Sequence, residues 1–396
     1  MWEYCKDLQD ELISLRREFH KMPEIGDWLP DTQARVCEEL DKMGIPYKKN
    51  TIDSGIIAMI DGGRPGSKVV ALRADMDGLP VTEATGLPFA SCREGRMHAC
   101  GHDTHITMLL GAAKVLNEHK DEIPGRVKLI FQTGEETCTG AKNMLKEGAL
   151  ENPHVDAIFG MHSGTILGPD IPSGTFTVSP GCTMASYDHF VIKVTGHGTH
   201  GSAPEKGIDP IVAASNIVLA LEEIIAREIP GIKPAVLTIG QFHAGFAYNV
   251  IPNEVVIEGT TRALEEDVRQ YLSKRIEEIS KGIAATYRAT ADYEMIWGAA
   301  PLVNDPEMAA LAADAAEKVV GPKFVVRDQG NPVMGGEDFA YYLAQRKGAF
   351  FVVSTANHEK HTDYPHHNPK FDVDEDILWK GAAVYVSTAI EFLSRS

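Results

Sequence analysis

The sequence predicts an α/β fold: a three-layer α/β/α domain with a largely parallel sheet, interrupted by a smaller α+β domain. Residues 7–183 alternate helical stretches with short apolar strands, which is the rhythm of βαβ units. The order then changes to βαββαβ, which is typical of a ferredoxin-like, split-βαβ sandwich. Polar motifs resume after Pro301, so the C-terminal part of the chain must complete the first domain. We therefore expect one domain from 1–183 with 298–396 and a second from 184–297.

Two spacings of apolar residues indicate the elements of these domains. Leu12, Leu15 and Phe19 recur at helical spacing within 10–21, and 103–117 carries a similar pattern. Continuous apolar runs indicate strands buried on both faces of a parallel sheet, at 68–70, 127–130, 157–159 and 349–353. The second domain is expected to contain a strand, a helix, two strands, a helix and a strand, at 190–194, 211–227, 235–242, 254–261, 267–284 and 290–295.

The composition limits the classes of protein to which the chain can belong. It has 396 residues, 43% hydrophobic and 24% charged, which is long enough for two cores. A formal net charge of −18 argues against nucleic acid or an anionic membrane as partner. Six irregularly spaced cysteines fit reduced thiols, and the start of the chain has no pattern of a secretion signal. No apolar run approaches the roughly 18 residues of a membrane span, so we expect a cytoplasmic protein.

The segment 97–105 concentrates three imidazoles, a thiol and a carboxylate. Alternate residues of an extended segment point to the same side, so Cys100 and His102 can reach one metal ion. Gly101 between them lets the backbone approach that ion closely. Structural zinc sites use Cys-x₂-Cys pairs and close with four ligands, and the sequence has no such second pair. The combination of one cysteine and one histidine therefore indicates a catalytic metal centre that distant residues complete.

Other segments place metal-capable side chains after predicted strands. These segments are 131–136 with two glutamates, 160–162 with His162, 71–78 with Asp75 and Asp77, and 366–369 with two histidines. Open α/β sheets carry their sites outside the carboxyl ends of the strands. We therefore expect these segments to meet at one edge of the sheet.

At these residues the chain resembles the dinuclear-metal aminoacylase and carboxypeptidase superfamily, in particular the branch of hippurate hydrolases, N-acyl-amino-acid amidohydrolases and plant auxin-conjugate hydrolases. The resemblance extends from 15–26 to 368–372, nearly the whole chain, and further landmarks are 196–200, 249–252 and 336–339. It implies Cys100 as the bridging ligand of two ions, in a place where the wider superfamily has an aspartate. The other ligands that it implies are His102, Glu136, His162 and His367.

The resemblance also implies roles for three carboxylates close to these ligands. Glu135 is implied as the general base. Asp75 stands where other branches carry a ligand histidine, and His102 would compensate for that loss. Asp77 is implied as a carboxylate that orients a neighbouring ligand.

In the second domain, the resemblance implies a lid that also forms a dimer interface. His200 resembles the lid histidine that steadies the oxyanion, usually from the partner subunit of a dimer. Asn249 and Arg262 resemble residues that bind the terminal carboxylate of the substrate, which an arginine fork matches in bidentate fashion. Read without the resemblance, these residues could equally belong to turns and to an exposed strand end.

The donor atoms support a metal centre independently. Thiolate, imidazole and carboxylate together suit zinc, manganese, cobalt or nickel better than magnesium or calcium. Two ions about 3.5–4 Å apart could polarise an amide carbonyl, while a nearby carboxylate moves the proton of a water molecule. Other histidines are interpreted as surface, hydrogen-bonded or polar-loop residues, namely His119, His154, His189, His358, His361 and His366.

We therefore predict a metal-dependent amidohydrolase with two divalent ions per subunit, which cleaves the amide bond of N-acyl amino acids as a homodimer or higher homo-oligomer. The alternatives are a dipeptidase or aminopeptidase with the same metals, and a metal- or ligand-binding protein without catalysis. Residues 27–30, 133–134 and 137–139 depart from the pattern of the branch around the expected acyl pocket. These departures leave the acyl group open.

Overall fold

The computed structural model describes residues 1–395 and divides into two units of different architecture. The first unit contains Met1–Thr183, Val303–Val333 and 338–395, and the second contains Met184–Leu302 and Met334–Glu337. The chain thus leaves the first unit and later returns to it. The domain boundaries after residues 183 and 297 stay a prediction, and residue 396 lies outside the described part. Within residues 1–395, no helix combines the length and the apolar character that a bilayer crossing requires.

The strands are numbered in chain order. They are β1 (Tyr47–Lys49), β2 (Ile56–Asp61), β3 (Arg64–Asp75), β4 (Pro124–Gln132), β5 (Ala157–Gly164), β6 (Phe176–Thr177), β7 (Gly181–Met184), β8 (Asp188–Thr195), β9 (Thr199–His200), β10 (Ala235–Ala244), β11 (Val250–Ile251), β12 (Glu254–Ala263), β13 (Thr290–Ile296), β14 (Leu302–Asn304), β15 (Val325–Val326) and β16 (Lys347–Ser354).

The α-helices are α1 (Gln9–Lys21), α2 (Pro30–Met43), α3 (His102–Glu118), α4 (Gly140–Lys146), α5 (Pro210–Glu223), α6 (Glu266–Thr286), α7 (Pro306–Val320), α8 (Ala340–Leu343) and α9 (Leu378–Ser394). Short 3₁₀ segments connect several of these elements.

The first unit is built on an eight-stranded sheet with the order β1-β2-β4-β3-β5-β16-β6-β15. Its four middle strands, β4, β3, β5 and β16, run parallel, while β2 and β6 pair antiparallel with their neighbours β4 and β16. β5 is buried along its whole length, as expected for a strand of a covered parallel sheet. The α/β fold class predicted from the apolar runs is therefore confirmed.

Helices α1, α3 and α9 pack closely beside this sheet. Gly111 of α3 makes their approach possible, because a Cβ there would lie 2.8 Å from Leu12 Cδ2 of α1 and 3.2 Å from Ala382 Cβ of α9. Leu12 and Leu15 are buried in the same core, and each buried leucine stabilises the fold by about 1.5–3 kcal/mol. The same core contains residues of β3, β4 and β5, the strands that lead to the candidate metal centre.

The second unit contains an antiparallel sheet with the order β10-β12-β8-β13. In chain order its elements are β8, α5, β10, β12, α6 and β13, which confirms the ferredoxin-like βαββαβ prediction. Alternate residues of β12 are buried, since one face of the sheet packs on α5 and α6. The predicted helix 211–227 differs at its end, where α5 gives way to a π-helical turn at Ile224–Glu228.

Candidate metal centre

Parallel strands of the first unit end at one edge of the sheet. Residues whose side chains can bind a metal ion lie at or just after these strand ends. β3 ends at Asp75, β4 ends shortly before Glu135, and β5 carries His162. Helix α3 begins at His102, directly after Gly101, whose φ of +87° favours glycine. Because these strands run in the same direction, their carboxyl ends gather the residues that the sequence placed far apart.

Cys100 is shared by two groups of potential ligands. In the first group, the ligand atoms of Cys100, His102 and His162 lie within 4.8 Å of one another. In the second group, those of Cys100, Glu136 and His367 do the same. The Cys100 Sγ lies 3.4 Å from His162 Nε2, and His367 Nε2 lies 3.5 Å from Glu136 Oε1. The structure thus brings the four other predicted ligands together around the Cys100 thiol.

The interior of this cluster has unsatisfied ligand atoms and an excess of carboxylates. His102 Nε2 and Glu136 Oε1 are buried and have no hydrogen-bond partner among residues 1–395. His102 Nε2 lies 3.6 Å from Asp75 and 4.0 Å from both Glu135 and Glu136. Burial alone would lower the pKa of His102, but Asp75, Asp77 and Glu136 outweigh it and raise this pKa to about 10. Divalent cations would satisfy both the bare ligand atoms and the carboxylate charge, so the residues fit a metal centre.

The Asp77 carboxylate holds the loop that carries the two glutamates. Its oxygens accept hydrogen bonds from the backbone N–H groups of Glu135 and Glu136, at 3.2 and 3.1 Å. Gly134, just before them, has a φ of +56°, and a Cβ there would lie 2.1 Å from Asp27 Oδ1. The strand therefore breaks at Gly134, and both glutamates can face the same cluster.

His105 belongs to this cluster although the sequence prediction did not include it. Its Nε2 accepts a hydrogen bond from the Ser163 N–H at 2.9 Å, so its Nδ1 carries the proton and donates to Asp75 Oδ1 at 2.5 Å. Arg73 donates to the other oxygen of Asp75 at 2.8 Å. Burial would raise the pKa of Asp75, but Arg73, His102 and His105 hold it well below its usual range. The sequence signal that could have identified His105 was its spacing of three residues from His102 on α3.

His366 also lies at the centre, although the sequence analysis interpreted it only as a residue of the polar loop that leads to His367. Its Nδ1 is 3.6 Å from Cys100 Sγ, and its ring stacks on His162 with the centroids 5.0 Å apart. Burial is the main cause that lowers the pKa of His366 to about 3. His358 and His361 of the same loop are exposed, in agreement with their interpretation.

In the second unit, the pairing of β9 with β11 brings two predicted residues together. His200 lies opposite Val250, and the Gly201 N–H donates to the Asn249 carbonyl oxygen at 2.8 Å. The His200 ring is exposed, and its Nδ1 lies 2.7 Å from Ser202 Oγ. β9 follows the end of β8 and β11 precedes the start of β12, so both residues belong to one end of the four-stranded sheet.

Arg262 lies near the other end of that sheet. Its guanidinium stacks on the Tyr187 ring, 4.5 Å from the centroid, and donates to the Thr261 carbonyl oxygen at 2.9 Å. On β12, Arg262 is eight positions beyond Glu254, which corresponds to roughly 26 Å of strand. The structure therefore does not bring Asn249 and Arg262 of one chain together.

Comparison with known proteins places these residues in a family context. Residues 71–391 match the peptidase family M20/M25/M40. The chain is 37% identical over 386 residues to the N-acetyl-L-cysteine deacetylase of Bacillus subtilis (strain 168), covering 98% of this chain and 89% of that protein. It is 39% identical over 394 residues to thermostable carboxypeptidase 2 of Saccharolobus solfataricus, covering 98% and 97%. The solved structure of Bacillus subtilis YXEP, a dinuclear metal binding peptidase, matches with a TM-score of 0.83 and 34% identity, covering 98% of this chain and 99% of that chain.

Proposed function

The chain belongs to the peptidase family M20/M25/M40, and on that premise we propose that it hydrolyses the amide bond of N-acyl amino acids. The superfamily resemblance is confirmed by this membership, and the protein is a metal-binding hydrolase that acts on amides. The proposal adds the class of substrate and the roles of individual residues. A relative named for deacetylating N-acetyl-L-cysteine supports the N-acyl class.

The observation that carries the proposal is the Cys100 thiol shared by two groups of ligands. His102 and His162 would complete the site of one divalent ion, and Glu136 and His367 would complete that of the other. This mixture of donors suits zinc, manganese, cobalt or nickel. When bound, such ions polarise the amide carbonyl and lower the pKa of a water molecule.

Glu135 is proposed as the general base beside these ligands. Its carboxylate lies 4.0 Å from His102 Nε2 and is mostly buried, with 8% of the residue exposed. Asp77 fixes its backbone, so the carboxylate stays close to the reacting atoms. Glu135 would take the proton of the attacking water and deliver it to the leaving nitrogen. A protein that only stores metal would not need this group.

The second unit is proposed to recognise the substrate. Arg262, together with Asn249, would bind the carboxylate of the amino acid, and His200 would donate to the oxygen that becomes negative during attack. Asn249 and His200 lie at the opposite end of the sheet from Arg262, so a single chain cannot direct all three at one substrate. A homodimer could, if the partner subunit's His200 and the partner subunit's Asn249 act with Arg262.

Exposed apolar side chains on the second unit support this dimer. Leu219 on α5 is 72% exposed, and Phe246, next to the β11 segment, is 83% exposed. Isolated apolar residues on a surface are ordinary, but Phe242, Phe246 and Tyr248 are all exposed within seven residues, and such a cluster is typical of a contact surface.

The substrate class is tested by comparing kcat/KM for three matched compounds after reconstitution with zinc, manganese, cobalt or nickel. The compounds are an N-acetyl amino acid, the same molecule with an amidated carboxyl group, and a dipeptide with a free amine. We expect the N-acetyl acid to be preferred. In Arg262→Ala, KM for this acid should rise about 10- to 150-fold, equivalent to a charge-assisted contact of about 1.5–3 kcal/mol, while KM for the amidated compound should hardly change.

The other outcomes identify the competing functions. A preference for the free-amine dipeptide would favour a metallopeptidase, the alternative that the carboxypeptidase relative supports. An equal rise of KM for the free acid and the amidated compound would remove Arg262 from carboxylate binding. Stoichiometric metal binding without turnover of any compound would indicate a binding protein and would overturn the proposed hydrolysis.

A further inference from the structure

We propose that His366 is a positioning residue that donates an N–H···S hydrogen bond to the Cys100 thiolate. The inference rests on the proposed function, because it concerns the thiol that the two ligand groups share. His366 itself belongs to neither group of ligands. Its role would be to set the charge and the orientation of the sulfur.

The hydrogen bonds of the ring determine which nitrogen carries the proton. The Thr165 N–H donates to His366 Nε2 at 3.0 Å. A nitrogen that accepts a hydrogen bond carries no proton, so the imidazole is neutral and its proton lies on Nδ1. Nδ1 is 3.6 Å from Cys100 Sγ. The donor therefore lies beside the sulfur, and the backbone at Thr165 fixes the tautomer.

The surroundings of His366 hold the ring in this orientation. It stacks on His162 with an angle of 28° between the planes, and its other neighbour, Phe371, meets it edge-on with the centroids 4.9 Å apart. Gly164 leaves the necessary space, because a Cβ at that position would lie 1.9 Å from His366 Nε2. A side chain at position 164 would displace the His366 ring, so the glycine at this strand end is needed for the position of the ring.

The hydrogen bond has a chemical consequence for the shared thiolate. The sulfur lies close to Glu136, so its negative charge is unfavourable unless a donor or a cation reduces it. An N–H donor withdraws electron density from sulfur, so the sulfur would donate less to any ion that it holds. Partners of this kind, which act through a ligand, typically contribute about 10–100-fold to metal affinity or activity.

The test uses the full-length protein loaded with cobalt, whose sulfur-to-cobalt charge-transfer absorption reports on the thiolate. His366→Phe keeps an aromatic ring but removes both hydrogen bonds. His366→Gln can still accept from Thr165 but has no donor at the position of Nδ1, whereas His366→Asn can place an amide N–H there. We expect the absorption to move to lower energy in the Phe and Gln variants and to return toward the wild-type energy in His366→Asn. Cobalt affinity should fall about 10–100-fold in the first two variants, because the sulfur loses the contact that orients it, and this loss should exceed the gain from its stronger donation.

His358→Phe is the matched control, since His358 is an exposed histidine of the same loop that pairs with Asp363 at 2.7 Å. Its cobalt spectrum and affinity should equal those of the wild type. An unchanged absorption in both His366→Phe and His366→Gln would overturn the hydrogen bond while leaving the proposed metal centre intact. The absence of any sulfur-to-cobalt absorption in the wild type would remove Cys100 as a ligand, and both proposals would then fail. If His366→Phe does not fold, as judged by circular dichroism, the comparison of Gln with Asn decides the question.

Discussion

Glu135 and Glu136 are neighbours in the chain, yet their surroundings differ. Glu136 shares a ligand group with Cys100 and His367, whereas Glu135 groups with His102 and Glu136 and not with the thiol. We therefore expect Glu136→Gln to lower the metal content of the protein. Glu135→Gln should keep its metal and lose about 10²–10⁴-fold in kcat, the usual contribution of a general base. Metal analysis and kcat measured on the same preparations check both expectations.

Each variant is the control for the other, because the substitution is the same and the positions are adjacent. Equal metal occupancy in the two proteins would contradict the separation of their roles. A loss of less than about tenfold in Glu135→Gln would remove that residue from proton transfer.

The family resemblance implied the five proposed ligands, and each of them also has a metal-capable residue type after a predicted strand or inside the 97–105 motif. His105 and His366 were missed for a physical reason. Their importance depends on partners from other segments, Asp75 and Ser163 for His105 and Thr165 and Cys100 for His366. Such contacts arise from tertiary packing, which the spacing of residues along the chain does not reveal.

A buried ion pair connects two elements of the second unit. Arg269 of α6 donates two hydrogen bonds to Asp188 at the start of β8, at 2.8 and 2.7 Å, and the Asp188 side chain is fully buried. The Gly298 N–H donates to the same carboxylate at 3.0 Å. We expect Arg269→Met to destabilise the protein by about 3–5 kcal/mol, since it leaves a buried carboxylate without its cation. Urea denaturation followed by circular dichroism measures the loss.

A second ion pair on the same strand serves as the control. Lys193 of β8 lies 2.7 Å from Glu254 of β12, but both side chains are about half exposed. Lys193→Met should therefore change stability by about 0–1 kcal/mol. If the two variants are equally stable, the buried pair does not hold α6 to the sheet.

The elements were predictable where one spacing of apolar residues dominates. The runs 127–130 and 157–159 fall inside β4 and β5, and the helical pattern 267–284 falls inside α6. The end of the helix predicted at 211–227 was less predictable, because the π turn at Ile224–Glu228 keeps the chain helical while changing its hydrogen bonds. Apolar spacing reports which face is buried and does not distinguish these two kinds of turn.

At the scale of the whole molecule, the arrangement of the second unit leads to a prediction about subunits. His200 and Asn249 lie at one end of its sheet and Arg262 at the other, so we expect His200 to act in the site of the partner subunit. Glu135→Gln and His200→Ala proteins should each be nearly inactive alone. After subunit exchange, a mixed dimer has one site with an intact Glu135 and an intact partner's His200. Equal, random mixing makes half of the dimers mixed and restores roughly a quarter of the wild-type activity.

Two controls make the mixing experiment decisive. Subunit exchange is verified independently, by mass spectrometry of differently tagged chains, and Glu135→Gln is also mixed with Glu136→Gln. That second pair should recover nothing, because both substitutions lie in the metal centre of their own chain. If His200 instead serves its own chain, neither site of a mixed Glu135→Gln and His200→Ala dimer is complete, and activity stays at the level of the separate variants after full exchange. Recovery to roughly a quarter in the first mixture, with none in the second, would therefore establish that His200 crosses between subunits.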